Sequence, residues 1–416
     1  MFAVYLHDVP IGTIAPRGRG LTFQYEARVV EDQSIPALSL SLPKQYERFP
    51  DSRAGRFFRN LLPEQAYRRL IAAGVGTAPE NSLALLGAIG GECPGAVSIW
   101  PEGKAPPAEA QYERLETPQL RRLFSRADSH RLAEAVTRGR LSLAGTQEKI
   151  ALLRDAVGDW LLPLNGAVTS HILKEAAPAF PNLLENELFC MALAREAGLL
   201  VPDTGLASSE VRVFCAERFD RPPTAEGERV KRAKIHQEDF CQALAVEPDN
   251  KYEGDGGPGL RQCAGVILQY SSLPADDLLR LLRWIGFNYL IGNEDAHAKN
   301  LTLLYSTEGL RLTPHYDLVS TEVYRGLERR LAMKIGGAWD IRNVQGRDWR
   351  RLAGALGIPW DRFRPALLEL ADRVDGLVPR MMEVCSARFG PSPVYHEIRQ
   401  VIERTVSQAS LALGGR

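Results

Sequence analysis

Through the first hundred residues, apolar and polar positions alternate in short runs. Phe2-Ala3-Val4-Tyr5-Leu6 gives way to a turn from Asp8 to Gly12, then to Leu21-Thr22-Phe23-Gln24-Tyr25, where Leu21, Phe23 and Tyr25 share one face. A period of two marks a half-buried strand, so the chain is expected to open with a small antiparallel sheet. Helical patterns follow over 55–62 and 63–74, and Ala96-Val97-Ser98-Ile99-Trp100 reads as another strand. The Gly-rich stretch between them, Gly87 to Pro94, lacks the G-x-x-x-x-G-K-[ST] pattern of a phosphate cradle and reads as a structural turn. Pro101-Glu102-Gly103-Lys104-Ala105-Pro106-Pro107 has the composition of a linker.

After two expected helices, Arg140 to Leu153 (RLSLAGTQEKIALL) places a small-residue loop, with Ser142, Ala144, Gly145 and Thr146, ahead of a strand over 150–153. Backbone amides of such a loop can approach phosphates because little side-chain bulk intervenes, although an ordinary hairpin turn has the same composition. His171-Ile172-Leu173-Lys174 is a short β-run ending in a lysine. Pro181 to Gly198 is an amphipathic helix, with Leu184, Leu188, Met191, Leu193 and Ala194 on one side and Glu185 and Glu187 in its first turns. Val211 to Asp220 is a strand running into a polar segment.

From about residue 236 the periodicity turns helical, interrupted by Lys251 to Leu260 (KYEGDGGPGL), which is too rich in Gly and Pro for a regular element. Leu278 to Ile291, with Trp284, Phe287 and Tyr289, is a buried helix. The stretch 348–413 alternates helical patterns with turns at Gly354, Gly357-Ile358-Pro359 and Gly390-Pro391. The pattern predicts an α+β protein: a β-rich region over 1–105, a second mixed region over 106–235, and an α-helical lobe over 236–416.

Composition narrows the class only a little. A hydrophobic content of 45% and a charged content of 25% are those of an ordinary globular chain. Basic and acidic residues balance at 51 each, so no global field would draw the isolated chain to nucleic acid or to a membrane. Six cysteines, at positions 93, 190, 215, 241, 263 and 385, form no C-x-x-C pair and read as reduced core residues. With no signal pattern and no apolar window of spanning length, a cytoplasmic protein with no membrane partner is expected.

The candidate chemistry lies in Leu290-Ile291-Gly292-Asn293-Glu294-Asp295-Ala296-His297-Ala298-Lys299-Asn300. Asp295 and Asn300 stand five residues apart, the spacing of a protein-kinase catalytic loop. The apolar run 301–305, a Ser-Thr-Glu-Gly turn and Leu310 to Thr313 read as a β-hairpin that carries Asp317 back toward them. A base, a metal-binding amide and a metal-binding carboxylate would then converge, the set that phosphoryl transfer from Mg-ATP requires. A polar loop without chemistry accounts for that spacing equally well on its own. What separates the two readings is order along the chain: small-residue loop, strand lysine, helix glutamate, hinge-like strand, Asp-x-x-x-x-Asn, hairpin, Asp. That order is the order of a two-lobed kinase.

In this detail the chain resembles the HipA toxin kinases of bacterial toxin–antitoxin modules. The resemblance rests on Leu141 to Lys149 (LSLAGTQEK), on Glu217-Arg218-Phe219-Asp220-Arg221, on Lys251 to Gly259 (KYEGDGGPG), on Asp295 to Asn300 and on Thr313-Pro314-His315-Tyr316-Asp317. Ala37 to Pro43 and Phe57 to Pro63 are similar to the family's N-terminal subdomain.

The resemblance implies a two-lobed, protein-kinase-like fold and an ATP- and Mg²⁺-dependent serine/threonine kinase. Asp295 would be the catalytic base, and Asn300 and Asp317 the Mg²⁺ ligands. Leu143, Ala144, Gly145, Thr146 and Gln147 would form the phosphate-binding loop, with Lys174 on the phosphates and Glu187 as its supporting partner (Glu185 lies nearby). Glu217, Arg218 and Phe219 would hold adenine. His297 would pin the loop through a ring N–H, with proton transfer as the other option. Lys299 would reach the transferred phosphate unless it faces solvent. Ser142 would be the autophosphorylated serine.

The partners implied are a HipB-like helix-turn-helix antitoxin, operator DNA through that complex, and an aminoacyl-tRNA synthetase as substrate, with glutamate–tRNA ligase as leading candidate. Phosphorylating it would inhibit translation and arrest growth. The alternatives are a small-molecule or lipid kinase of the same fold, or a nucleotide-binding co-repressor without kinase activity.

Overall fold

The computed structural model describes residues 1–18, 20–125, 130–175, 179–223 and 232–414. The chain forms two compact units: Met1–Glu175 with Leu206–Asp249, and Ala176–Gly205 with Asn250–Arg416.

The first unit opens with β1 (Phe2–Leu6), β2 (Val9–Arg17), β3 (Gly20–Tyr25) and β4 (Val97–Pro101), paired antiparallel in the order β3-β2-β1-β4. The expected alternation is present, and its inward face is aromatic. Phe23 meets Tyr25 edge-on at 4.7 Å and lies 5.8 Å from Phe58 on the helix Ala54–Arg59, so β3 and that helix share one core. A second sheet holds β5 (Gln111–Leu115), β6 (Lys149–Arg154), β7 (Trp160–Leu164) and β8 (His171–Lys174). Strand β9 (Thr204–Leu206) comes next in the chain, before β10 (Phe214–Glu217); five of these strands run antiparallel in the order β5-β7-β6-β8-β10. Both Lys149 on β6 and Phe214 on β10 pair with Lys174, which therefore sits on an inner strand. Strand β11 (His236–Asp239) closes this unit's list.

The second unit is helical. Pro274–Leu290, Trp360–Phe389, Val394–Leu413 and Leu183–Glu196 pack through buried aromatic residues, with Phe189 stacked on Tyr395 at 5.2 Å. Tyr289 meets Trp349 of the helix Gly346–Leu356 edge-on at 5.0 Å. Its hairpin, β12 (Thr302–Ser306) with β13 (Gly309–Leu312), is the one the sequence predicts.

Three expectations are corrected. The strand expected from Val211 begins only at Phe214, after a turn in which the Ser208 hydroxyl accepts from Val211 N–H. Gly354 makes no turn; the helix continues to Leu356 and stops at Gly357 with φ +69°, a left-handed cap. The linker assigned to 101–107 is followed directly by β5, which the polar sequence Gln111-Tyr112-Glu113-Arg114-Leu115 concealed. All six cysteines are buried and none is in a disulfide. Among the described residues no helix is long and apolar enough to cross a membrane.

Candidate active site

In the first unit the small-residue loop is packed against the protein. Ser142 is fully buried, donates its hydroxyl to Leu61 O at 2.7 Å and its amide to Glu92 O at 2.9 Å. Glu64 N–H donates to Gly145 O at 2.9 Å, and Lys149 Nζ to Ala144 O at 2.8 Å. Leu143 is buried, Ala144, Gly145 and Gln147 are half-buried, and Thr146 is exposed. Gln147 Nε2 donates to Glu175 O at 2.5 Å, tying the loop to the chain just after Lys174. Lys174 is buried at the end of β8 with its ammonium 5.0 Å from the Phe214 ring centroid.

The hinge-like stretch ends in a buried charge cluster. Arg218 reaches Glu92 at 3.2 Å and Asp220 at 2.7 Å; Arg221 reaches each of the two carboxylates at 2.9 Å. Burial alone would raise both carboxyls, but the two guanidiniums hold Glu92 below its ordinary value and Asp220 down at about 2. The Arg218 side chain is thus turned inward, its backbone N–H donates to Ser170 O at 2.8 Å, and the Glu217 and Phe219 side chains on either side are half-buried.

Sequence reasoning missed Glu92. It is the hub of this region, because its backbone also pairs with Arg140 and Ser142. The only cue was a glutamate inside a Gly-rich turn, opposite a segment carrying two arginines.

In the second unit the polar stretch after the helix Pro274–Leu290 is built by hydrogen bonds reaching back into that helix. Asn288 Nδ2 donates to Trp284 O at 2.8 Å, Asn293 Nδ2 to Asn288 Oδ1 at 2.7 Å, and Asp295 N–H to Asn293 Oδ1 at 3.0 Å. Gly292 carries the reversal with φ +67°, where an added Cβ would lie 2.7 Å from Val401 Cγ1. Thr321 clamps the far side, accepting from Glu294 N–H at 2.8 Å and donating to Gly292 O at 3.1 Å.

On this scaffold Asp295 is exposed, whereas His297, Lys299 and Asn300 are buried. Burial of Lys299 rules out the solvent-facing alternative. His297 N–H donates to Asp295 O, and its ring meets Tyr252 edge-on at 5.5 Å. Glu294, buried beside the base, has its carboxyl pushed up to about 7 by burial, despite Arg329 at 3.5 Å.

The segment that follows the hairpin and bears Asp317 returns to the loop. The neighbouring Tyr316 hydroxyl donates to Lys299 O at 2.8 Å, so Asp317 and Asn300 each lie one residue from a single contact. Asp317 has φ +54°, a conformation that a non-glycine residue holds only under constraint and that recurs at functional sites. Asn300 Oδ1 is buried without a hydrogen-bond partner among the described residues. A buried amide oxygen with no partner among the described residues is the kind of ligand that suits a hard cation such as Mg²⁺. Glu187 is buried within the helix Leu183–Glu196 of this same unit.

The family model for the HipA N-terminal domain matches residues 2–100, and that for the HipA-like C-terminal domain matches residues 141–378. Y4mE of Sinorhizobium fredii is 37% identical over 367 residues, covering 87% of this chain and 86% of its own. The serine/threonine-protein kinase toxin HipA of Shewanella oneidensis is 28% identical over 383 residues, covering 89% and 87%. A chain from the solved complex of Shewanella oneidensis HipA, HipB and operator DNA superposes with a TM-score of 0.82 at 23% identity, covering 100% of this chain and 98% of its own. That likeness fixes the fold as α+β and HipA-like.

Proposed function

The chain belongs to the HipA family, and on that premise we propose that it is an ATP- and Mg²⁺-dependent serine/threonine protein kinase, the toxin of a HipA/HipB-type module. The observation that carries this reading is the second unit's loop. An exposed Asp295 stands on a hydrogen-bonded turn, and the Tyr316–Lys299 contact joins the segments of Asn300, whose amide oxygen has no partner among the described residues, and of the constrained Asp317. In this reading residues 1–105 are the N-terminal subdomain, 106–235 bind nucleotide, and 236–416 carry the catalytic loop.

Asp295 accepts the proton of the acceptor hydroxyl as general base. Asn300 and Asp317 would hold Mg²⁺, which would supply charge neutralisation on the phosphates. Lys174, the loop 143–147 and Lys299 contact phosphates, with Glu187 in support. Glu217, Arg218 and Phe219 hold adenine through the backbone and the Phe219 ring. His297 braces the loop. Exposure of Asp295 favours a hydroxyl presented on a macromolecule over a small enclosed acceptor, and so a protein over a metabolite or lipid headgroup. An intact base argues against a purely co-repressing role.

The similarity to HipA toxins supports an aminoacyl-tRNA synthetase as substrate, glutamate–tRNA ligase first. It likewise supports a HipB-like antitoxin as partner, DNA contact and operon repression through that complex, and Ser142 as autophosphorylation site. Incubation with labelled ATP and Mg²⁺, alone and with candidate synthetases, tests the reading. Label should appear on Ser142 and on one synthetase and vanish in Asp295→Ala, a base typically contributing about 10²- to 10⁴-fold. ATP binding without transfer to any protein would refute it.

A further inference from the structure

The segment Lys251 to Gly259 has no place in the roles assigned above, yet one of its side chains touches the base. Tyr252, half-buried, donates its hydroxyl to Asp295 Oδ1 at 2.6 Å, while its ring packs edge-on against His297. At this length an O–H···O⁻ bond falls in the charge-assisted range.

The tyrosine is itself held from behind. Glu253 N–H donates to Ala332 O at 2.8 Å, Lys334 N–H donates to Glu253 Oε2 at 2.9 Å, and the Lys334 ammonium lies 2.9 Å from Glu253 Oε1. Ala332 N–H in turn donates to Glu294 O at 2.8 Å. One short stretch, 332–334, therefore fixes both the residue after Tyr252 and the residue before Asp295. The Gly-rich character of the segment serves this packing: a Cβ on Gly259 would stand 2.6 Å from the Glu253 carboxyl.

An aspartate on an exposed turn turns freely about its terminal torsion, which is broad and two-fold. A general base must present one oxygen to the acceptor hydroxyl within hydrogen-bond reach. Donation by Tyr252 to Oδ1 restrains that torsion, so that Oδ2 is the oxygen left to accept from the acceptor hydroxyl. Resting on the kinase reading, we propose that Tyr252 is a positioning residue for phosphoryl transfer, orienting Asp295 through its hydroxyl and bracing His297 with its ring.

Tyr252→Phe removes the hydroxyl and keeps the ring. Its kcat for transfer to protein should fall roughly tenfold or more, the scale of one lost hydrogen bond to a charged group. Melting temperature, KM for ATP and Mg-ATP affinity should stay at wild-type values, a split that loss of folding would not produce. In an Asp295→Ala background the same change should have no further effect, because a residue acting through the base cannot act without it. Unchanged or raised kcat in Tyr252→Phe, with active wild-type protein, overturns this inference alone. Wild-type protein that transfers no phosphate overturns the kinase reading and this inference together.

Discussion

The hydroxyl of Tyr316 donates to Lys299 O at 2.8 Å and meets the Thr302 hydroxyl at 2.5 Å, so one phenol joins the loop 295–300, the start of β12 and the return segment bearing Asp317. Tyr316→Phe removes both bonds without opening a cavity. It should cost about 1–2 kcal/mol of stability. It should also lower Mg-dependent nucleotide affinity more than metal-free affinity, because Asn300 and Asp317 lose their shared tie. Calorimetric titration with ATP, with and without Mg²⁺, checks this; equal losses under both conditions would leave the tether with no role in the metal site.

Asn300 separates metal binding from folding. Its buried Oδ1 lacks a partner among the described residues, a state that costs about 1–3 kcal/mol. Asn300→Leu removes the orphaned oxygen at similar volume, so the metal-free variant should melt no lower than wild type. A saturating ligand at 100 times its dissociation constant stabilises by about 2.7 kcal/mol. Wild type should show such a shift with Mg-ATP, and Asn300→Leu and Asp317→Ala should not. An undiminished shift in either variant would remove that residue from the metal site.

The second unit's candidate site could be read along the sequence because it is local. Asp295 and Asn300 lie in one loop and Asp317 follows one hairpin, whose register follows from a short turn. What it hid depends on long-range partners. Glu92 meets Arg218 and Arg221 from more than a hundred residues away, and Tyr252 meets Asp295 from 43 residues away. Strand β5 was hidden for a different reason: it carries Gln111 and Arg114 at exposed positions and Glu113 at a half-buried one, in place of a clean apolar alternation.

The buried cluster offers a stability test within the first unit. Arg221 is fully buried against Glu92 and Asp220, and removing one partner leaves an uncompensated buried charge, typically at about 3–5 kcal/mol. Arg221→Met should therefore lower the urea midpoint of the first unit sharply, and Glu92→Gln should do so less, since a neutral amide can still accept from Arg218. A midpoint within error of wild type for Arg221→Met would mean that packing, not charge pairing, holds this region.

Acid should act on the same unit in two stages. His236 is fully buried with its pKa lowered by burial from 6.5 to about 4, so the unfolded chain takes up the proton first. That contribution is whole above pH 6.5 and is lost as pH falls toward about 4, on the order of 3 kcal/mol. Asp220 follows: depressed from 3.8 to about 2, its stabilisation persists above the unfolded value and disappears as pH falls through about 2. Urea titrations of His236→Gln between pH 7 and pH 4 should give a flatter curve than wild type. Parallel curves would place the acid sensitivity elsewhere.

Ser142 donates to Leu61 O from a position with no solvent exposure, so neither a phosphate nor a carboxylate can occupy its site while the loop stays packed. A phosphate there would carry roughly two negative charges into a pocket that offers the hydroxyl one carbonyl oxygen, a repulsive partner. Ser142→Asp should therefore release the stretch from Leu141 to Lys149, breaking the Ser142–Glu92 and Glu64–Gly145 backbone bonds with it. Ser142→Ala gives up only one neutral hydrogen bond, about 1 kcal/mol, and should leave the loop seated. Limited trypsin digestion reads the difference, because Arg140 and Lys149 flank the loop and Lys149 is buried. Cleavage at these sites should accelerate by roughly an order of magnitude in Ser142→Asp and stay at the wild-type rate in Ser142→Ala, as expected when proteolysis tracks the open population. ATP affinity should fall only in the aspartate variant. Equal cleavage rates in all three proteins would show that charge at this serine does not control the loop.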